Sequence, residues 1–224
     1  QVQQMLKQYG FDNVENILGE WNMHVLDENR WRPEFWNARG AAWAASALIY
    51  LQSTLVSKAF WYRGDSGGIF GLFCENGTFK KTGYVYLAMK KMLETPVRLA
   101  CTGSNNLGFA TLAGKTTNGS SVRVLISDFD ANYDQFVLKL GNHTWQGKTM
   151  LYEMYLLDDV GNLALVEKGE QQVTSISISQ RIAGSSVYLI VLEVKDRTME
   201  QTVTSKTVTT TMTTSKVEIT IGPS

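Results

Sequence analysis

The sequence predicts two architectures in succession, an α/β unit of the parallel-sheet or barrel kind followed by an antiparallel β-sandwich. Three observations predict it. Helical and strand patterns alternate up to Pro96. Beyond Pro96 the apolar period falls to two. The runs there are short, and Gly, Asn and Asp cluster between them at 103–106, 117–119 and 158–162.

The elements follow in order. Gln4, Met5, Gln8 and Tyr9 end a helix at Gly10, glycine being the usual residue just past a helix C-terminus. Residues 14–21 read as a short strand. From 34 to 53, Phe35, Ala38, Ala42, Ala45, Leu48, Ile49 and Leu51 recur at helical spacing, and Pro33 sits where a first turn tolerates it. Residues 56–62 form a β-rich apolar run, 64–68 a loop, and 82–94 an amphipathic helix closed by Pro96. Eight short strands follow, at 98–102, 107–113, 121–127, 135–140, 149–157, 163–167, 173–178 and 187–194, a spacing that argues for a sandwich. The Thr-rich stretch from 197 to 224 reads as a solvated tail or stalk, although its alternating valines would also suit a strand. The expected division is therefore 1–96, 97–196 and 197–224.

With 224 residues, 44% of them apolar and 11% aromatic, the chain can bury a substantial core. Twenty-one Lys+Arg balance 21 Asp+Glu, so there is no electrostatic footprint of a nucleic-acid partner or of an anionic membrane surface. The longest apolar stretch, 41–51, is far shorter than the roughly 20 residues of a membrane span. Phosphate-loop, His-Glu-x-x-His and nucleophile-elbow motifs are absent, and two cysteines with two histidines at these spacings make no zinc motif, so no metal or cofactor is expected. Cys74 and Cys101 are read as free thiols or as one disulfide. Three sequons, at 76–78, 118–120 and 142–144, fall in turn-like stretches, and with the Thr-rich tail they point to an extracellular or cell-surface location.

Chemistry concentrates on Glu20, in the segment Ile17-Leu18-Gly19-Glu20-Trp21-Asn22. The segment is apolar up to Gly19 and then abruptly polar. A carboxylate at a strand end is commonly a solvated edge charge or a cap, yet the C-terminal mouth of barrel strands is also where such folds keep catalytic groups.

Residues 1–196 resemble the C-terminal portion of clan A glycoside hydrolases, most closely family 39, the β-xylosidases and α-L-iduronidases. The matching pieces are Gln8-Tyr9-Gly10-Phe11, Leu18-Gly19-Glu20-Trp21-Asn22, Gly71-Leu72-Phe73 with residues 76–81 and 84–88, and the run 122–129. The resemblance implies that residues 14–20 are strand seven and 58–62 strand eight of a (β/α)8 TIM barrel, followed by an accessory antiparallel β-sandwich. It also implies a retaining hydrolase of xyloside-like or related glycans with Glu20 as nucleophile. Such an enzyme needs a second carboxylate about 5 Å away to protonate the leaving oxygen. The family's Thr or Ser before the nucleophile is Gly19 here, and Glu-Trp-Asn also occurs in family 51.

In the same mapping Trp61 takes the place of an aromatic floor for the sugar ring, or else packs between barrel and sandwich. Arg63 and Asp65 would bond sugar hydroxyls or pair with each other, and Asn22 and His24 would orient Glu20 or touch substrate. Trp31, Trp36 and Trp43 suggest a sugar-binding stripe, but Trp36 and Trp43, seven apart, read more simply as one helix face packed against the barrel or a neighbouring domain.

The family's Asn-Glu acid/base step has no counterpart, since Asp27-Glu28-Asn29 and Val14-Glu15-Asn16 run in the reverse order. A whole barrel takes about 250 residues. The expectation is a chain lacking an N-terminal barrel segment of the same polypeptide and inactive alone, because general-acid assistance is worth about a hundred- to ten-thousand-fold. The other reading is a non-catalytic carbohydrate-binding or surface-anchoring module, with Trp145 and Tyr152 or Tyr155 exposed on one sheet face.

Overall fold

The computed structural model describes residues 2–11, 13–23, 36–66, 68–141, 145–173, 176–195 and 216–222. His24, Trp31, Pro33 and the sequon at 142–144 lie outside the described residues. The fold is mostly β, with few helices.

Helix α1 (Val2–Gln8) stops as the sequence predicts. Gly10 takes φ +79°, Phe11 N–H reaches back to the Leu6 carbonyl at 2.8 Å and Gly10 N–H to that of Lys7 at 3.1 Å. This pair of bonds satisfies carbonyls that the last helical turn leaves free, and a side chain at Gly10 would strain the left-handed turn.

Strand β1 (Ile17–Trp21) and strand β2 (Lys58–Trp61) pair in parallel, Ile17 with Lys58, Leu18 with Ala59 and Trp21 with Trp61, with a register shift between Leu18 and Trp21. Parallel strands need a crossover, and helix α2 (Ala38–Leu51) supplies it. Its N-terminus is capped by Asn37, whose side-chain oxygen accepts from Gly40 N–H at 3.2 Å, and by Asp159 from across the molecule, which accepts from Ala38 N–H at 2.9 Å. Helix α3 (Lys81–Met92) packs on α2. Its Gly83 has no room for a side chain: a Cβ would stand 2.4 Å from the Phe79 ring and 2.9 Å from the Leu72 carbonyl oxygen.

The remaining strands are β3 (Val97–Cys101), β4 (Phe109–Lys115), β5 (Ser121–Asp128), β6 (Gln135–Leu140), β7 (Thr149–Leu157), β8 (Asn162–Gln172), β9 (Ile176–Arg181), β10 (Ser186–Lys195) and β11 (Lys216–Gly222). They form one nine-stranded sheet in the order β8-β7-β10-β5-β4-β3-β11-β6-β9, antiparallel except where β11 meets β6. The eight strands read from the period-two pattern are all present. The ninth corrects the expected tail. Lys216–Gly222 is a strand between β3 and β6, with Val217, Ile219 and Ile221 buried and Lys216, Glu218 and Thr220 facing out.

The sheet curls, and its two faces line two different cores. Along β10, Tyr188, Ile190 and Leu192 join Phe136, Leu138, Ile176, Ile178 and Ile219 in one cluster. The alternate residues Val187, Leu189 and Val191 join Ala41, Ala42, Ala45, Val85 and Ala88 of the helices in the other. With both faces covered, the burial of β4, β5 and most of β10 is nearly continuous rather than alternating. The five buried alanines of α2 let its backbone lie close to the sheet.

Polar contacts fix the helical layer. Ser127 Oγ donates to the Ala42 carbonyl at 2.7 Å, and Ser46 Oγ donates to that of Gly108 at 2.8 Å. Arg123 holds the last turn of α3 through the Lys91 carbonyl. Arg39 pairs with Asp130 at 2.6 Å. Both cysteines are free thiols; Cys101 Sγ lies 3.2 Å from Thr111 Oγ1, and burial pushes its thiol pKa up.

Candidate functional site

The C-terminal ends of β1 and β2 lie side by side, and this is where Glu20, Asn22, Arg63 and Asp65 are brought together. Tyr62 N–H donates to the Trp21 carbonyl at 3.0 Å, extending the parallel ladder one step past β2. The Asn22 side chain donates to the Tyr62 carbonyl and accepts from Met23 N–H at 2.7 Å. Asn22 therefore ties the two strand ends at the point where the chain leaves the sheet. Glu20 is exposed, two positions before it on β1. In open parallel sheets and in barrels the crevice beyond these ends is the usual ligand position, since loops there converge on a rigid scaffold.

Behind Glu20 stands an aromatic cluster. Trp21 meets Trp61 edge-on at 4.8 Å and 87°, Trp43 of α2 lies 5.9 Å from Trp21 and 6.4 Å from Trp61, and Tyr86 of α3 lies 6.2 Å from Trp61. These are attractive ring geometries. Trp61 is half-buried, and its indole N–H donates to the Phe70 carbonyl at 3.2 Å, so the ring is fixed by the loop that follows its own strand. Trp21 Nε1 and Tyr86 Oη are buried without a hydrogen-bond partner among the described residues, and burial drives the Tyr86 pKa upward.

Arg63 and Asp65 form the internal pair, with Arg63 Nε donating to Asp65 Oδ2 at 2.9 Å and Nη2 to the same oxygen. Both are exposed, and the bond to Asp65 raises the guanidinium pKa. Their loop is tightly held: Arg63 N–H donates to Phe70 O at 3.2 Å and Phe73 N–H to Asp65 O at 3.1 Å.

Lys80, overlooked in the sequence, and Trp36, read there only as part of a helix face, complete the frame. Lys80, only 8% exposed, donates from Nζ to the Gly68 carbonyl at 2.7 Å and lies 5.0 Å over the Trp36 ring. Trp36 Nε1 donates to the Ile69 carbonyl at 3.1 Å. Burial lowers the Lys80 pKa. A lysine directly before a helix and a Trp 44 residues earlier show no pattern that would have linked them.

The aromatics proposed for a glycan-binding sheet face are arranged otherwise. Trp145 is 3% exposed, with its indole N–H donating to the Gly119 carbonyl at 2.7 Å. Tyr152 and Tyr155 are half-buried, and their hydroxyls donate to Glu167 at 2.7 Å and Glu153 at 2.5 Å. Among the described residues no group of three or more His, Cys, Asp or Glu side chains is placed to hold a metal ion, and no helix is long and apolar enough to cross a membrane.

No family model matches the chain, and no curated protein matches it. Solved structures do. A glucosidase from Croceicoccus marinus superposes with a TM-score of 0.74 at 24% identity, over 86% of this chain and 48% of its own. A family 30 endoxylanase from Clostridium papyrosolvens C71 gives 0.56 at 14% identity, over 85% and 44%. A family 44 xyloglucanase from Paenibacillus polymyxa gives 0.60 at 11% identity, over 86% and 34%. At these identities the likeness is one of fold. The chain has a glycoside hydrolase fold, and it spans about half the length, or less, of the structures it matches. Families 30 and 44 are named among these structures, and the likeness is to glycoside hydrolases at a coarse level, without singling out a family.

Proposed function

We propose that this chain is the C-terminal part of a retaining glycoside hydrolase acting outside the cell on xyloside-like or related glycans, with Glu20 as nucleophile. In this reading β1 and β2 are strands seven and eight of a TIM barrel of the clan A, family 39 type, and the curled sheet is the accessory sandwich. The single observation that carries it is a glutamate at the C-terminal end of a parallel strand whose end is locked to its neighbour by Asn22 and Tyr62. The glycosidase neighbours, of which this chain spans half or less, support a longer enzyme.

In the mechanism a Glu20 carboxylate oxygen attacks the anomeric carbon. The bond from that carbon to the leaving oxygen breaks as an acid from the preceding part of the polypeptide protonates the oxygen. Water, deprotonated by the same group, then displaces Glu20 and restores the carboxylate. The role of the aromatic cluster is to hold β1 and β2 at fixed separation, so that Glu20 keeps one position relative to the Arg63–Asp65 loop. Asn22, His24, Arg63 and Asp65 are assigned to the substrate side of this site, whereas Trp61, packed among Trp21, Trp43 and Tyr86, belongs to the cluster behind it rather than to a floor for the sugar ring. Lacking its acid partner, the isolated chain is inactive.

The test is a polypeptide extended through the preceding coding sequence and treated with a fluorinated xyloside carrying a good leaving group. We expect a covalent sugar adduct on the peptide that contains Glu20, and a loss of at least about a thousandfold in kcat for Glu20→Gln. An active enzyme whose adduct sits on a different carboxylate, or whose Glu20→Gln variant turns over normally, would remove Glu20 from the reaction.

A further inference from the structure

We propose that Lys80 is a positioning residue of this site: through the turn at 68–70, its buried ammonium group fixes the loop that presents Arg63 and Asp65 to the substrate. The proposal rests on the reading of the strand ends as a glycosidase site, and it names what holds their substrate side in place.

Local chemistry argues against a lysine at this position. Lys80 is the N-cap of α3, with φ −72° and ψ 167°, and its side chain makes no cap bond. Ser, Thr, Asp and Asn cap helices because their short side chains accept from the free N–H groups of the first turn, and an ammonium group cannot accept at all. Its charge also stands at the positive end of the helix dipole. The residue is buried as well, and a buried charge is unfavourable unless something compensates it. Three local rules are broken at one residue, and exceptions of this kind concentrate at functional sites.

What Lys80 does instead is hold a carbonyl. Three successive carbonyls, those of Gly68, Ile69 and Phe70, accept from side chains in three separate places: Lys80 Nζ just before α3 at 2.7 Å, Trp36 Nε1 just before α2 at 3.1 Å, and Trp61 Nε1 of β2 at 3.2 Å. A turn has no ladder to take up its carbonyls, so these donors fix its path. The turn is in turn coupled to the ion pair. Phe70 O also accepts from Arg63 N–H at 3.2 Å, and Asp65 O accepts from Phe73 N–H at 3.1 Å.

Of the three donors Lys80 alone is charged, and a charged donor makes the stronger bond. Burial lowers its pKa, while the charges of Cys74, as thiolate, and of Asp65 act the other way, and the Trp36 ring lies 5.0 Å from Nζ. The backbone of Lys80 is anchored too, since its N–H donates to the Leu72 carbonyl at 2.9 Å and the rings of Phe73 and Phe79 stack at 4.9 Å. Removing the charge therefore releases the turn, and with it Arg63 and Asp65, while Asn22 and the aromatic cluster keep β1 and Glu20 in place. Substrate affinity falls and the attacking carboxylate is untouched.

The experiment has two arms. In the 224-residue chain, amide hydrogen exchange is followed at Arg63 and Phe73 for the parent, Lys80→Met, Lys80→Arg and, as control, Lys81→Met, whose ammonium group bonds the Gly161 carbonyl instead. Expected for Lys80→Met is exchange at least about tenfold faster at these two amides, as loss of a hydrogen bond from a charged donor predicts, with the amides of β5 and β10 unchanged. In the polypeptide extended through the preceding coding sequence, hydrolysis of a nitrophenyl β-xyloside should show KM raised at least about tenfold by Lys80→Met with kcat within about threefold of the parent. Lys80→Arg should restore most of that loss, and Lys81→Met should behave like the parent. Trp36→Phe deletes the neighbouring bond from an exposed ring, so it should move exchange and KM the same way by a smaller factor, and it replaces Lys80→Met if that variant does not fold. The proposal is overturned if the two amides exchange at parental rates, if KM stays parental or kcat falls in its place, or if Lys80→Arg is no better than Lys80→Met. An extended polypeptide that leaves the xyloside intact counts against the reading of Glu20, and the exchange arm then judges Lys80 by itself.

Discussion

The two sheets of this molecule are built to opposite specifications. In the nine-stranded sheet β10 buries Tyr188, Ile190 and Leu192 on one face and Val187, Leu189 and Val191 on the other, and every one of these side chains is covered by the chain's own strands and helices. The β1–β2 pair has two strands, and around it Phe11, Val14, Ile17 and Phe60 are exposed, Ile17 to 46% and Phe60 to 55%. A two-stranded sheet is marginal without covering layers, and contiguous exposed apolar surface marks a contact site or a liability to aggregate. The difference teaches where stability and candidate chemistry reside. The large sheet and its two helices form a platform that is complete in itself, and the strand ends bearing Glu20 are mounted on the rim of that platform.

Ile190→Ala should have the largest effect on stability. The residue is wholly buried in the middle of the sheet, and the cavity should cost about 2–5 kcal/mol in urea unfolding. A loss below about 1 kcal/mol would show that the sheet is not the self-sufficient half. Alkaline pH tests the same half more gently. The Tyr152 hydroxyl, partly buried and bonded to Glu167, and the Tyr155 hydroxyl, bonded to Glu153 and partly buried, each have a pKa pushed up to about 12 from 10.0. The folded chain keeps these protons where an unfolded chain releases them, so the stabilisation is present below pH 10 and is lost between 10 and about 12. Absorbance at alkaline pH should show Tyr152 and Tyr155 titrating late, together with Tyr50, Tyr86 and Tyr188, whose pKa values burial also raises, and release of Tyr152 and Tyr155 near 10 would contradict the bonding described. Phe60→Ser should have the smallest effect on unfolding, within about 0.5 kcal/mol, because an exposed ring on the two-stranded sheet covers little. The same change should reduce self-association in sedimentation, and unchanged association would mean that this face is not sticky.

Much of the fold was legible in the sequence because local rules wrote it there. Gly10 ended a helix where a left-handed residue was needed, the alanines of 38–45 formed a helix with a narrow face, and the period-two runs became strands. The stretch 216–222 was misplaced for a physical reason. Val217, Ile219 and Ile221 alternate with polar residues as any half-buried strand does, yet they follow a long run of threonine, and only the open position between β3 and β6 gives them a face to cover. Glu20 was picked out by its neighbours Trp21 and Asn22 and by resemblance. The frame around it was not visible, since Trp43 and Trp61 meet Trp21 across 22 and 40 positions of chain and Tyr86 meets Trp61 across 25.

By itself, then, the sequence determined what each segment is, helix, strand or turn, apart from 216–222, and which strand end carries the glutamate. Backbone sterics and apolar period act over a few residues, and a few residues suffice to read them. The tertiary structure alone decided what meets what. It set Asn22 against Tyr62, Lys80 against Gly68, and Arg123 beside Ser121 and Glu193. Those contacts depend on register and on the curl of the sheet, which arise only when distant segments bury their faces against one another.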